Sequence, residues 1–507
     1  MVEKSIKNIV IVGGGTAGWM AAAAMAKVFG RAVSIRLVES EEIGTVGVGE
    51  ATVPALGHFN RMLEINEAEF MRQVQGTFKL GIEFVDWGRI GDRYMHGFGT
   101  TIGADFGGQP FHQYWIKARQ AGRAKDIGAY TLHTMAGPLG KFMTSASDVP
   151  ASSPLADIAY AYHFDAGLYA RYLRRYAENL GVRRTEGKVK QVIQRTDDGF
   201  VDAVVMESGE KIDGDLFIDC SGFRGLLIEQ TLKAGYEDWS HWLPCNSAVA
   251  APCENVGPPT PFVRCTAREA GWTWRIPLQH RTGNGYVYSN KYISDDEAAN
   301  NLLGWLDGRA LGSPRVLRFT PGRRIKVWDK NVVAIGLASG FLEPLESTSI
   351  YLIQSAINRL LSLFPDREFD QSTIDRYNAQ AAFEIERIRD FIMLHFCATE
   401  RSDTPFWDYC RTMSLPEPLA NTIRLFRDTG RYYRNADELF GQLSWVQVMV
   451  GQRIVPRKYH PIVDRMSDQD LYEFVGKVEQ VIKSCVDVMP SHQAFIDKWC
   501  KAPPIAM

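Results

Sequence analysis

The stretch KNIVIVGGGTAGWM, Lys7 to Met20, constrains this chain more than any other. Ile9 to Val12 form a short apolar run rich in β-branched residues, the pattern of a buried parallel strand, and Gly13, Gly15 and Gly18 follow at once with GxGxxG spacing. Good helix formers come next, from Trp19 through Ala26, so the glycine turn delivers backbone N–H groups to a helix N-terminus. Hydrogen bonding and the helix dipole both favour pyrophosphate there. A second apolar strand, Ser34 to Val38, ends at Glu39, 21 residues beyond Gly18. That is where a doubly wound α/β fold places the acid that binds an adenosine ribose, which argues for a nucleotide with free ribose hydroxyls.

The 507 residues are enough for two or three packing units. A formal net charge of −2 leaves no electrostatic footprint for nucleic acid, and no Lys/Arg stripe interleaves with aromatics. No apolar run approaches the roughly 20 residues that span a bilayer, and no signal sequence precedes the first strand. Eight cysteines without a CxxC pair or zinc-ligand spacing suit free thiols in a reducing compartment. These features predict a cytoplasmic protein with no bound metal, no membrane and no nucleic-acid partner.

Further along, Gly44 to Leu56 reads as a glycine-rich loop that touches a ligand and leads into a helix near Pro54, and Leu80 to Val85 reads as a strand. Arg89 to Gly108 reads as a loop, and Tyr162 to Gly181 as an amphipathic helix. Strands follow at Gly187–Gln194, Val201–Met206 and Asp215–Cys220, the last entering the glycine turn CSGFRG. GWTWRIPL and GYVYSNKYI, starting at Gly271 and Gly285, read as antiparallel strands. Ile350 to Leu363 is a buried helix whose N-terminus follows FLEPLESTS, and beyond Pro365 the pattern turns to long helices.

Taken together, GGGTAGWM (Gly13 to Met20), GVGEAT (Gly47 to Thr52), FKLGI (Phe78 to Ile82), CSGFRG (Cys220 to Gly225), WTWRIP (Trp272 to Pro277) and FLEPLEST (Phe341 to Thr348) span most of the chain. In them the sequence resembles the flavin-dependent halogenases of the tryptophan halogenase type. The resemblance implies an α/β, FAD-binding Rossmann-type fold, like the aromatic-hydroxylase flavin monooxygenases, with a mainly helical C-terminal lobe. It divides the chain into a FAD-binding core over 1–365, carrying an inserted antiparallel sheet and substrate loops, and a helical substrate-side lobe over 366–507. It also implies FAD, used as FADH2 from a separate flavin reductase, chloride or bromide, and a small indole-type substrate. Members of the family are often dimers, and the residues themselves are silent on that point.

By motif match, hypohalous acid made at the flavin reaches Lys79, whose ammonium can lose its proton when desolvated, as arginine could not. Glu346 stabilises the cationic ring formed as an aromatic attacks electrophilic halogen, and takes the proton lost on rearomatisation. Ser347, Thr348 and Ser349 stand where the family binds halide through backbone N–H groups. Gly13, Gly15, Thr16, Ala17, Gly18, Glu39, Ala51, Val189, Leu337 and Ile350 match FAD-contacting positions. His96 and Phe98 occupy the place where the indole is sandwiched, and Trp272 and Trp274 are either a partition between substrate and flavin or two core aromatics on one strand face.

Two departures stand out. Glycine is common in the family where this chain has Ser349. Tryptophan-specific members also carry a Tyr-Tyr pair, a glutamate and then Phe-Trp, whereas this chain keeps Tyr432, Tyr433 and Glu438 but reads FGQLSWVQ from Phe440, with Trp445 and no Phe-Trp pair. A charged group buried without partners costs several kcal/mol as an order of magnitude, so neutral or larger indoles are predicted over free tryptophan. Two alternatives share the motifs: a flavin-dependent hydroxylase, which has no need of Lys79, and a non-catalytic flavin- or indole-binding protein. Halide dependence separates the first from a halogenase.

Overall fold

A computed structural model describes residues 4–43 and 49–505. It resolves into two compact units, each assembled from three stretches of chain, with one division falling inside the long helix Gln371–Cys397.

The first unit comprises Met1–Gln75, Phe164–Ser240 and Phe319–Glu386. Its centre is the parallel pairing of Asn8–Val12 with Ser34–Glu39 on one side and Leu216–Asp219 on the other. Arg183–Glu186 extends the sheet beyond Ser34–Glu39, and Val332–Ala334 and Trp328–Asp329 extend it beyond Leu216–Asp219. The first strand therefore has parallel neighbours reached in opposite directions, and its C-terminal end is the switch point where such sheets open a ligand crevice. Helix Thr16–Phe29 leaves from that end with every residue from Gly18 to Ala26 buried, as its lack of charge requires. Val10, Val12, Phe217 and Val332 of the sheet pack with Val201, Val204 and Ile212 of a small antiparallel meander.

The second unit comprises Gly76–His163, His241–Arg318 and Arg387–Met507. It holds a seven-stranded mixed sheet in the order Arg315–Arg318, Ser247–Cys253, Thr282–Tyr288, Gly271–Pro277, Val263–Arg268, Gly81–Val85 and Arg93–Gly97. Val249, Ala251, Tyr286 and Tyr288 pack from it against Ala298 and Leu302 of helix Asp295–Gly304. Trp87, Trp272, Phe396 and Trp407 form an aromatic core, in which the Trp87 indole donates to the Cys265 carbonyl (3.1 Å) and Trp407 to that of Arg268 (2.7 Å). Helices Phe111–Gln120, Leu132–Ala136, Pro405–Thr412, Glu417–Thr429, Gln442–Gly451, Asp468–Val488 and His492–Trp499 belong to the same unit.

Three local expectations change. Arg93–Gly97, read as loop, is an edge strand antiparallel to Gly81–Val85, so His96 lies on a sheet; its five residues, RYMHG, have no polar–apolar alternation and stand among glycines. Ala161–Asp165, read as the start of a helix, is a strand, and the helix begins only at Ala166, where the Asp165 carboxylate caps the Leu168 N–H (3.0 Å). The run at Leu80 divides, with Thr77–Lys79 and Gly81–Val85 as separate strands, placing Lys79 inside an element.

Candidate active site

In the first unit, the glycine turn is shaped by what stands around it. A side chain at Gly13 (φ +116°) would fall on the Cys220 carbonyl, one at Gly14 on the Glu39 carboxylate, and one at Gly18 on the Gly13 carbonyl. Gly15 differs, because a Cβ there meets nothing within 4 Å. It also N-caps helix Thr16–Phe29 with no side-chain cap, which leaves the first-turn N–H groups of Thr16, Ala17 and Gly18 for a ligand. This open cradle, with positive helix-end dipole and no cationic side chain within the turn, fits a dinucleotide pyrophosphate.

Glu39 stands at the end of the second strand, its carboxylate accepting from Arg184 Nε (2.5 Å). Arg184 escaped the sequence reading, since only the parallel pairing of two distant strands brings it there. Gly336 (φ +74°), which opens the turn Gly336–Ala338 containing Leu337, packs on Ala17: a Cβ at Gly336 would lie 2.7 Å from that of Ala17. Cys220 closes the cradle from the third strand, its N–H bonded to the Val12 carbonyl (2.8 Å), and burial pushes its thiol pKa up. Asp219, also unforeseen, is fully buried and organises the following turn by accepting from the N–H groups of Ser221, Leu227 and Ile228. Ala51 and Ile350 are buried, and Val189 opens the meander strand Val189–Gln194. Of the loop predicted to touch a ligand, Gly44 to Val48, including Gly47 of GVGEAT, lies outside the described residues.

The same unit holds Glu346, buried, in the 3-10 turn Pro344–Glu346. Ser347 follows with φ +59°, a left-handed conformation uncommon for a residue with a side chain. Thr348 then N-caps helix Ser349–Ser362 without a side-chain cap, its own Oγ1 buried and with no hydrogen-bond partner. The left-handed backbone thus falls on Ser347, and Ser349, in place of the family's glycine, occupies an ordinary helical start.

In the second unit, Lys79 is fully buried on the strand Thr77–Lys79, directly opposite Ala161, whose methyl leaves room for it. Its Nζ lies 5.2 Å from the centroid of the Phe98 ring, in cation–π range. Phe98 is held by its N–H to the Leu80 carbonyl (2.8 Å), and Gly97 N–H donates to Gln447 Oε1 (3.0 Å). His96 leads into an aromatic group: its ring centroid is 5.6 Å from Phe391, which stacks on Phe440 at 4.0 Å and meets Trp445 edge-on at 5.0 Å. Trp445 stacks in turn on Tyr432 (5.3 Å). Lys79 with Phe98, and His96 with Trp445, are thus gathered in one unit, together with Phe391 and Gln447, which no sequence signal marked.

Glu438 is buried with both oxygens engaged, Oε2 by the Tyr432 hydroxyl (2.8 Å) and Oε1 by Asn435 Nδ2 (2.7 Å). Trp272 and Trp274 share one strand face with ring centroids 6.1 Å apart; Trp272 joins the aromatic core, and Trp274 lies across Gly285 with its indole N–H buried and unbonded. Among the described residues, no group of three or more His, Cys, Asp or Glu side chains is placed to hold a metal ion.

Comparison with known proteins gives this geometry its context. The tryptophan halogenase family model matches residues 8–468. A tryptophan 6-halogenase from Streptomyces toxytricini is 37% identical over 448 residues, 84% of this chain and 85% of the relative. Among solved structures, a flavin-dependent halogenase from Xanthomonas campestris is similar with TM-score 0.96 and 50% identity, over 99% of this chain and 100% of that one. Another from Brevundimonas sp. BAL3 gives TM-score 0.94 and 44% identity, over 98% of this chain and 99% of that one. With a family match over nearly the whole chain and a glycine cradle that fits FAD, the chain belongs to the tryptophan halogenase family and is a flavin-dependent halogenase.

Proposed function

We propose that this enzyme halogenates a neutral indole, or a larger molecule bearing one, in preference to free tryptophan. Reduced flavin delivered by a reductase, together with O₂ and halide, supplies hypohalous acid when bound. Gly13, Gly15, Thr16, Ala17, Gly18, Glu39, Ala51, Val189, Leu337 and Ile350 hold the cofactor in this reading. Backbone N–H groups at Thr348 and Ser349 hold the halide, chloride or bromide. Lys79 receives the hypohalous acid, binding it through its ε-amino group and presenting the halogen to the ring. Burial keeps bulk solvent from that amino group, so the electrophile does not escape into water on the way. His96, Phe98 and Trp445 supply the flat walls an indole stacks on, and Trp272 and Trp274 keep substrate and flavin apart. Glu346 stabilises the cationic ring and removes the proton from the substituted carbon through a carboxylate oxygen.

The observation that carries the substrate reading is Glu438, whose two carboxylate oxygens are already engaged by Tyr432 and Asn435. Each oxygen of the group that the family offers an amino-acid ammonium already accepts one bond within the protein, so an ammonium gains less there than at an unengaged carboxylate, while its desolvation costs the same. Scattered free cysteines support a cytoplasmic setting, and a homodimer follows family habit.

The test is a competition. Purified enzyme with FAD, a flavin reductase, NADH, O₂ and chloride or bromide is offered indole and tryptophan in one mixture, and products are read by mass spectrometry. Halide-dependent mass gain on indole, lost in Lys79→Ala, supports both the substrate and the lysine. A clear preference for tryptophan removes the substrate reading, and oxygen insertion without halide removes the assignment of Lys79.

A further inference from the structure

The β ribbon that carries Lys79 also carries a histidine that the reaction as described does not use. Thr77 pairs with His163 and Lys79 with Ala161 in antiparallel register. Side chains alternate along a strand, so Thr77, Lys79, Ala161 and His163 share one face and His163 is the diagonal neighbour of Lys79, within reach of a long side chain. Thr77, Lys79 and His163 are all fully buried.

The hydrogen bonds around His163 fix its tautomer. Thr77 Oγ1 lies 2.6 Å from the Pro277 carbonyl oxygen and 2.9 Å from His163 Nδ1. A carbonyl only accepts, so the single hydroxyl proton of Thr77 goes to Pro277. Thr77 Oγ1 must then accept, and His163 Nδ1 carries the proton. Nε2 is left as a bare lone pair, buried and with no hydrogen-bond partner among the described residues. Native proteins seldom leave such an acceptor unmet, and the exceptions gather where something else is to be bound.

The other titratable group bearing on this ring, His492, is fully committed: Nδ1 donates to the Pro259 carbonyl (2.8 Å) and Nε2 accepts from the Phe78 N–H (3.1 Å). Burial first, and then the nearby Lys79 and His492, hold the His163 pKa well below the ordinary histidine value. The ring therefore stays neutral beside the lysine and serves as an acceptor at physiological pH.

We propose that His163 is a positioning residue for Lys79: its Nε2 accepts a hydrogen bond from the lysine amino group through one bridging water, and this directs the remaining N–H bonds and the lone pair of that group toward hypohalous acid. The inference rests on the role given to Lys79 above. Its chemistry is confined to orientation, with no proton or electron transferred by His163. Thr77 and Pro277 complete the relay by denying the ring its other tautomer.

The experiment compares His163→Asn, His163→Gln and Lys79→Ala with the parent enzyme in full turnover, reading halogenated product per flavin oxidised and free hypohalous acid caught by a β-diketone scavenger. The asparagine amide reaches the place of Nδ1 and keeps the bond to Thr77 but offers no acceptor at Nε2, whereas glutamine carries an oxygen to the place of Nε2. A misdirected amino group lets the electrophile escape, so in His163→Asn product per flavin falls about tenfold and scavenged hypohalous acid rises to match, while His163→Gln stays within about threefold of the parent. Equal losses in the two variants, or none in His163→Asn, overturn the proposal. Lys79→Ala separates the layers: if it leaves halogenation intact, the role of the lysine falls and this inference with it. Nitrogen-15 NMR of ring-labelled histidine in the flavin-free parent protein gives a readout independent of turnover and of whether a variant folds. A neutral ring protonated at Nδ1 from pH 6 to 8 supports the proposal, and one protonated at Nε2 overturns it.

Discussion

Substituting Gly15 by alanine separates what the glycine turn does for folding from what it does for the flavin. The residue sits at φ −74°, ψ −173°, a conformation open to any L-residue, and its Cβ would meet no atom within 4 Å. Two small folding terms oppose each other: alanine restricts the unfolded chain, a gain of about 0.4–1 kcal/mol, and is a poor helix N-cap, a loss of similar size relative to glycine. Stability should therefore change by no more than about 1 kcal/mol. Flavin binding should suffer much more, because the methyl occupies the cradle over the helix N-terminus. Losing one hydrogen bond to a charged pyrophosphate oxygen costs about 1.5–3 kcal/mol, roughly 10- to 150-fold in Kd. Gly13→Ala provides the contrast, since its Cβ collides with the Cys220 backbone at φ +116° and should cost above about 2 kcal/mol in folding. Urea unfolding of the flavin-free proteins and FAD fluorescence titration give the two numbers. If Gly15→Ala binds FAD as the parent does, the pyrophosphate does not lie over Gly15; if it unfolds as readily as Gly13→Ala, the space there is not open.

Two further outcomes follow from the second unit. His112, His133 and His492 are buried, and burial is the chief cause lowering each pKa to about 4. Unfolding releases them to about 6.5, so the unfolded chain binds more protons between those values, and stability that is complete above pH 6.5 is lost as pH falls toward 4, by about 3 kcal/mol for each histidine. Urea midpoints from pH 8 to 5 should fall steeply below 6.5; a flat profile would show that the three are not held neutral. Separately, Gly285→Ala places a methyl on the Trp274 indole, which must tilt or shift, costing about 1–3 kcal/mol and altering tryptophan fluorescence. An unchanged spectrum and midpoint would mean that Trp274 does not rest on Gly285.

The legible parts of this protein were those written in local order. Strand, glycines, helix, second strand and Glu39 announce the cradle because each is a neighbour of the next in sequence. Lys79 within FKLGI and Glu346 within FLEPLEST stand in equally local runs, marked by the resemblance, and both are buried. What stayed hidden depends on pairing between distant strands: Arg184 on Glu39, Thr77 and His163 across one ribbon, and Gln447 on the Gly97 N–H. His96 was placed on a loop because the five-residue edge strand RYMHG, among glycines, has no period-2 pattern to announce itself. The grouping of segments into compact units was equally out of reach, since each unit draws on three separated stretches.

The placement of Lys79 on a paired strand, with Glu438 and Trp445 in a separate stretch that runs from Arg431 through helix Gln442–Gly451, has a consequence for how such an enzyme can change. A pleated ribbon tolerates little variation in the direction of its side chains, whereas the irregular segment before the helix can exchange residues more freely; the helix itself is largely buried and tied to the Gly97 N–H through Gln447. In the roles proposed above, the reagent and the gauge that chooses its target thus sit on separate stretches of chain. Libraries confined to 431–441 are then the ones to search for new aromatic acceptors, since they leave the Gln447 bond to Gly97 in place.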